Sequence, residues 1–279
     1  MLCARPTRIT GNPNVSSSFR FAGKALVFFL LILPSVLRAQ GAGAEAPYQE
    51  VFYPNGKLRL QAYLYKPPGA GPLPVVIYNH GSRRGRERAP TPFVFIGKML
   101  TAAGYVVLVP ERRGYGESGG EPFSEAVGQD RGRRFVERMQ AETDDVLAAL
   151  DFLKTVPDAD TSRAGIMGWS LGGIVTIFAT SRSPAFRAAV DQAGAALTWD
   201  NSPAMQHALS VAAARVSIPV LAMDAENDRT TEAVKAVVRE LEKRKIPAKL
   251  IIYPPYTPAQ SAGDIAPGHL IFAAPGAHI

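Results

Sequence analysis

An α/β fold with a mostly parallel, doubly wound sheet is the class this sequence predicts. Two observations carry it: short apolar runs alternate with helix-period segments along most of the chain, and one of those runs leads through a glycine-flanked serine straight into an apolar helix. Length agrees, since 279 residues allow one large domain with an ample core. Apolar residues make up 47% and charged residues 20%, which excludes disorder and fibrous repeats.

Residues 1–44 are read as a leader and a short mature lead-in, with the domain in 45–279. Arg5, Arg8, Arg20 and Lys24 precede the apolar run 25–37 (ALVFFLLILPSVL), which is too short to span a bilayer and contains Pro34. Small residues follow, with cleavage expected after Ala39 or Ala44. Export to the periplasm or beyond is the expectation, with no stable membrane insertion. Cys3, the one cysteine, lies inside that leader, so the mature chain has neither a disulfide nor a thiol nucleophile. The net charge of +7 also belongs mainly to the leader. Residues 1–39 hold five basic and no acidic residues, leaving 26 basic against 24 acidic in the remainder. A nucleic-acid partner is therefore not expected.

In chain order, strands are expected at 59–65, which alternates, and at 74–79, 105–110, 164–169, 187–191, 218–224 and 248–253, which read as buried runs. Helices are expected near 92–103, 141–155, 171–182, 203–214 and 230–245. Thr143-Asp144-Asp145 supplies acidic groups early in the second helix, and the last ends in Glu242-Lys243-Arg244-Lys245, suited to a helix C-terminus. The irregular stretch 115–140 is read as an inserted loop or small cap over the site.

The strongest chemical signal is Gly168-Trp169-Ser170-Leu171-Gly172-Gly173. It sits between a strand and a helix, where glycines two residues either side of the serine let the two backbones approach and Ser170 project. A hydroxyl nucleophile needs a base, and the base needs an orienting acid. Four histidines are available. His80 precedes the serine in a loop it is expected to hold in place, and His207 lies in a predicted helix as a solvated or capping residue. His269 and His278 both follow the last strand; His269, entering an apolar stretch, is favoured and His278 is its rival. Asp228, just past the strand at 218–224, is favoured as the acid, with Asp224 and Glu226 as alternatives. Asn79-His80-Gly81-Ser82 follows a buried strand and can turn an N–H toward an oxyanion: Ser82, or Gly81 beside it, with the N–H of Leu171 as second donor.

Arginines crowd this region. Arg83, Arg84, Arg86 and Arg88 follow the loop, and Arg131, Arg133, Arg134 and Arg138 form a second set. Arg83 and Arg84 are candidates for gripping a substrate carboxylate; the competing reading is a solvated surface partly paired with Glu87, Glu121, Glu125 and Glu137. Tyr115, Trp169 and Trp199 are candidates for lining an acyl pocket. Gly114-Tyr115-Gly116 with Gly119-Gly120 lacks the spacing and the lysine of a phosphate loop, and no metal or other cofactor is expected.

Together NHGS at 79–82, RGYGESGG at 113–120, GWSLGG at 168–173, AENDRT at 225–230 and GHLIF at 268–272 resemble the α/β-hydrolase superfamily, most closely its dienelactone-hydrolase and prolyl-oligopeptidase-like branch. The resemblance covers about residues 50–272. It implies Ser170 as nucleophile, Asp228 as acid, His269 as base, and oxyanion N–H groups from Ser82 and Leu171. It implies hydrolysis of a small-molecule ester through an acyl-enzyme, with a peptide substrate or a non-enzymatic binding role on a degenerate hydrolase fold as alternatives. Dienelactone hydrolases proper use cysteine where this chain has Ser170. Ten residues follow His269, so either the last helix of the superfamily is lost or the chain is truncated.

Overall fold

The computed structural model describes residues 47–69, 71–259 and 263–273. The leader at 1–44 with its cleavage positions, Cys3, and His278 lie outside the described residues. So do residues 274–279, the end of the segment expected to lack a closing helix.

Eight strands form one sheet: β1 Gln49–Asn55, β2 Leu58–Tyr65, β3 Leu73–Asn79, β4 Val106–Glu111, β5 Ala159–Trp169, β6 Phe186–Gln192, β7 Val220–Ala225 and β8 Ala248–Tyr253. Their order is β1-β2-β4-β3-β5-β6-β7-β8. β1 and β2 form an antiparallel hairpin and β2 pairs antiparallel with β4; every later pairing is parallel. The helices are α1 Val94–Ala102, α2 Phe123–Val127, α3 Arg133–Leu153, α4 Leu171–Arg182, α5 Pro203–Ala213 and α6 Glu232–Lys243. The expected α/β class and doubly wound topology are present, with helices on both faces.

The strands form because their apolar runs are buried on both sides. In β4 all six residues are buried, as expected of a parallel strand covered on each face. One face carries the main core, where Phe135, Met139 and Val146 of α3 and Ile174, Val175 and Phe178 of α4 meet Leu60, Val75, Ile77 and Ile166. The other face has a smaller core in which Ile96 of α1 meets Tyr63, Tyr65 and Tyr78. Further along, Ile271 and Phe272 pack against Met223.

β1 and α3 differ most from expectation; α2 also lies in 115–140, read from the sequence as an irregular loop or small cap, and β5 starts five residues early. β1 was not anticipated: it is only half-buried, and Pro54 interrupts its alternation. α3 begins at Arg133 rather than near 141. Its first turns point Phe135, Arg138, Met139 and Glu142 inward, a helical spacing in which buried charges disguise the apolar stripe. Thr143-Asp144-Asp145 therefore lies mid-helix, and Asp145 is spent on Arg113 and Asn55 instead of on a helix dipole. Among the described residues no helix is long and apolar enough to cross a membrane.

The parallel register matters for the site. β3, β5 and β7 all end on the same edge, so the loops that follow them, together with the chain beyond β8, converge outside the carboxyl ends of the strands.

Candidate active site

Ser170 links β5 to α4 at φ 57°, a left-handed conformation that a serine adopts only under constraint. Its N–H is held by the Gln192 carbonyl at 2.9 Å. Both flanking glycines are required by space: a Cβ at Gly168 would run into the Gly172 carbonyl, and one at Gly172 into the Asn79 carbonyl. The Gly-x-Ser-x-Gly pattern is thus the sequence record of strand, helix and the β3 loop meeting at one point.

Three side chains from distant segments converge there. Ser170 Oγ lies 2.8 Å from His269 Nε2, and His269 Nδ1 lies 2.7 Å from Asp228 Oδ2. Asp228 Oδ1 accepts the Arg229 N–H at 2.6 Å. The imidazole is 2% exposed and Ser170 8%, so the three groups are shielded, with Ser170 at the wall of a cavity. With Nδ1–H donated to the carboxylate, Nε2 is left as an acceptor facing the hydroxyl. Trp169 donates its indole N–H to the His269 carbonyl at 2.8 Å. Asn227 exchanges side-chain hydrogen bonds with Tyr256, at 2.8 and 2.9 Å, and its carbonyl accepts the Gly268 N–H. These two residues fix the histidine loop against the acid loop. Asp224 is buried just behind Asp228, and Glu226 is exposed.

Ser82 and Leu171 both line, with Ser170, a cavity of about 360 Å³. The Leu171 N–H is the first of α4 and has no intrahelical acceptor, and the Ser82 N–H donates to no other described residue. His80 is fully buried, with Nδ1 2.7 Å from the Gly81 carbonyl and its ring stacked on Phe93. Burial, then the charges of Arg112 and Arg83, push its pKa well down, so it sits there neutral. Arg112 reaches from below to the His80 carbonyl at 2.8 Å and is itself bound to Glu142 at 2.6 Å. His207 is exposed on α5.

The arginines separate by partner. Arg83 is spent on Glu111, with which it forms a bidentate pair, and on the Ala89 carbonyl at 2.8 Å. Arg88 binds the carbonyls of Gly116, Ser118 and Gly120. Arg138 is buried against Glu142, and Arg133 pairs with Glu137 on the surface. By contrast Arg84 and Arg131 line the cavity and form no ion pair among the described residues; the same holds for Arg229, which the sequence reading passed over. Phe123, Leu197 and Ile265 supply apolar wall, and Asp264 is the one acid among the lining residues. Trp169 lines a second cleft of about 470 Å³ that shares Ser82, Arg84, Ser170, Leu197 and Ile265 with the first and adds Arg83, Arg86 and Phe93. Tyr115 lines neither cleft: it is fully buried, edge-on to His80 at 4.6 Å and beneath the Arg83 guanidinium, so it supports the oxyanion-loop region instead of meeting substrate. Trp199 packs against the main core. Among the described residues no cluster suited to a metal ion occurs.

The model of the dienelactone hydrolase family matches residues 60–259. The chain belongs to that family. It is 27% identical over 124 residues to the quorum-quenching protein AidA of Acinetobacter baumannii, a match covering 44% of this chain and 36% of AidA. The matches span about a third to a half of the length of the curated relatives. Among solved structures, dienelactone hydrolase from Anabaena variabilis superposes with TM-score 0.55 at 23% identity, over 75% of this chain and 88% of that one. The uncomplexed acylaminoacyl peptidase of Pyrococcus horikoshii gives TM-score 0.62 at 20% identity, over 80% of this chain and 39% of the peptidase. The fold of this dienelactone hydrolase family member is that of the α/β-hydrolases.

Proposed function

We propose that the enzyme is an exported serine hydrolase that cleaves a carboxylic ester through an acyl-enzyme. The observation that carries the reading is the unbroken relay Ser170–His269–Asp228, with links of 2.8 and 2.7 Å, at the carboxyl ends of the parallel strands. Export rests on the leader sequence alone.

His269 Nε2 takes the Ser170 proton as Oγ attacks the ester carbonyl, while Asp228 holds the Nδ1–H and balances the imidazolium that forms. The N–H groups of Ser82 and Leu171 receive the oxyanion, the latter at the positive end of α4. Collapse breaks the bond to the alcohol oxygen, which leaves with the proton from His269. Water, deprotonated by His269, then attacks the acyl carbon, and the acid departs as Ser170 regains its proton.

Amide bonds would use the same groups. The likeness to acylaminoacyl peptidase favours testing that second reading. The test is labelling with a fluorophosphonate, followed by assays on p-nitrophenyl esters and aminoacyl p-nitroanilides. Ser170→Ala is expected to abolish labelling and lower turnover by a factor on the order of 10⁶. Well-folded wild type that is not labelled would favour a binding protein on a degenerate fold.

The cavity chemistry supports an anionic substrate. Arg84, Arg131 and Arg229 bring three guanidinium groups, without ionic partners among the described residues, to a wall that already holds the serine. Arg83, committed to Glu111, contributes to the second cleft only as its edge. Replacing Arg84 and Arg131 by Ala should cost a p-nitrophenyl hemisuccinate about tenfold more in kcat/KM than a p-nitrophenyl butyrate. Equal losses on the two esters would remove this part of the reading.

A further inference from the structure

Behind the triad acid lies a second carboxyl group that the mechanism above does not use. Asp224, near the end of β7, is fully buried. Its Oδ1 accepts the Ala225 N–H at 2.8 Å, and its Oδ2 meets no N–H, hydroxyl or cation among the described residues. The turn after β7 folds back through an Asp228 N–H to Ala225 carbonyl bond of 3.0 Å. It thereby carries Asp228 back beside Asp224, close enough for their carboxyl groups to interact. The neighbours supply no compensating charge. Asp191 faces the pair from β6, the residue opposite on β8 is Ile252, and α6 presents Val234 and Val238. The nearest titratable side chain of β8, Tyr253, turns its hydroxyl to the Met223 sulfur.

Two adjacent carboxyl groups out of water cannot both be ionised, so a proton stays between them. Asp228 already receives the Arg229 N–H on one oxygen and the His269 Nδ1–H on the other, the environment of an anion. The proton therefore resides on Asp224.

We propose that Asp224 is a positioning residue of the triad: as a neutral carboxylic acid it donates a hydrogen bond to the Asp228 carboxylate, adding a third donor that fixes the angle at which Asp228 holds the imidazole. The inference rests on the reading of Ser170, His269 and Asp228 given above. No bond to substrate is involved and no proton is consumed, because the donor is retained through the cycle. Burial first, and the Asp228 charge second, push the Asp224 carboxyl up to about 9, so the donor is present at neutral pH and lost in alkali.

The experiment measures the rate of Ser170 labelling by a fluorophosphonate between about pH 6 and 10.5, in wild type, Asp224→Asn and Asp224→Ala, with Ser170→Ala as blank. Asparagine keeps the shape and places an N–H where the carboxyl O–H stood. Asp224→Ala is expected to react about tenfold more slowly at neutral pH. Asp224→Asn should restore the wild-type rate. Wild type should slow above about pH 9 while Asp224→Asn does not. Identical rates in all three proteins overturn the proposal. So does an alkaline decline in Asp224→Asn matching that of wild type, a comparison that decides the matter even if Asp224→Ala fails to fold. Absence of labelling in wild type would instead show that the triad reading itself fails.

Discussion

On the β4–α3 flank, Glu142 lies between Arg112 and Arg138 at 2.6 and 2.8 Å, and Asp145 takes two bonds from the Arg113 guanidinium. On the β6–β7 flank, Asp191 and Asp224 are as deeply buried, yet neither has a cation. The same residue chemistry therefore does two jobs. Where guanidinium groups surround a carboxylate, its charge is fixed and it ties segments together. Arg112 reaches the oxyanion loop, and Arg138 reaches the carbonyls of Arg113 and Glu121 in the stretch beyond β4. Where no cation is supplied, burial favours the neutral acid.

Breaking the paired flank should have the largest effect. Glu142→Gln leaves Arg112 and Arg138 buried without a carboxylate, and should lower unfolding free energy by about 3–5 kcal/mol. Urea denaturation measures this, and a loss below about 1 kcal/mol would mean that the network is not holding the flank. A smaller effect is expected on the unpaired flank. Asp191 is pushed up to about 7 by burial, opposed by one bond from the Gly194 N–H at 3.0 Å. The native state then binds a proton that the unfolded chain, titrating near 4, has already released. That contribution to stability is complete below about pH 4 and is lost as pH rises through about 7. Asp191→Asn should remove this loss, so that the variant gains about 1–3 kcal/mol on wild type between pH 4 and 8. Parallel stability curves for the two proteins would contradict it.

How much of this was legible depended on whether a signal was local. Seven strands announced themselves as apolar runs bounded by turn residues, and each occurs within two residues of the expected ends, except at the start of β5, five residues earlier. β1 carried a usable sign that was passed over: Asn55-Gly56 between two extended runs is a hairpin turn, and Gly56 adopts φ 57° there. The convergence of Ser170, Asp228 and His269 was readable because each sits in a short loop whose place after a strand the sequence also shows. The arginines were not. Arg83 and Arg84 are adjacent, yet one turns to Glu111 and the other to the cavity, and only the tertiary position of Glu111 decides between them. Tyr115 likewise looked like a pocket aromatic, because nothing local tells that His80 will pack on its ring.

The indole of Trp169 stands one residue before Ser170 and clasps the main chain at His269. A fluorophore thereby joins the Ser170 turn to the segment that carries His269, and only one other tryptophan, Trp199, competes with its emission. Displacement of that segment, by an inhibitor or by heat, is written directly into the protein's own light.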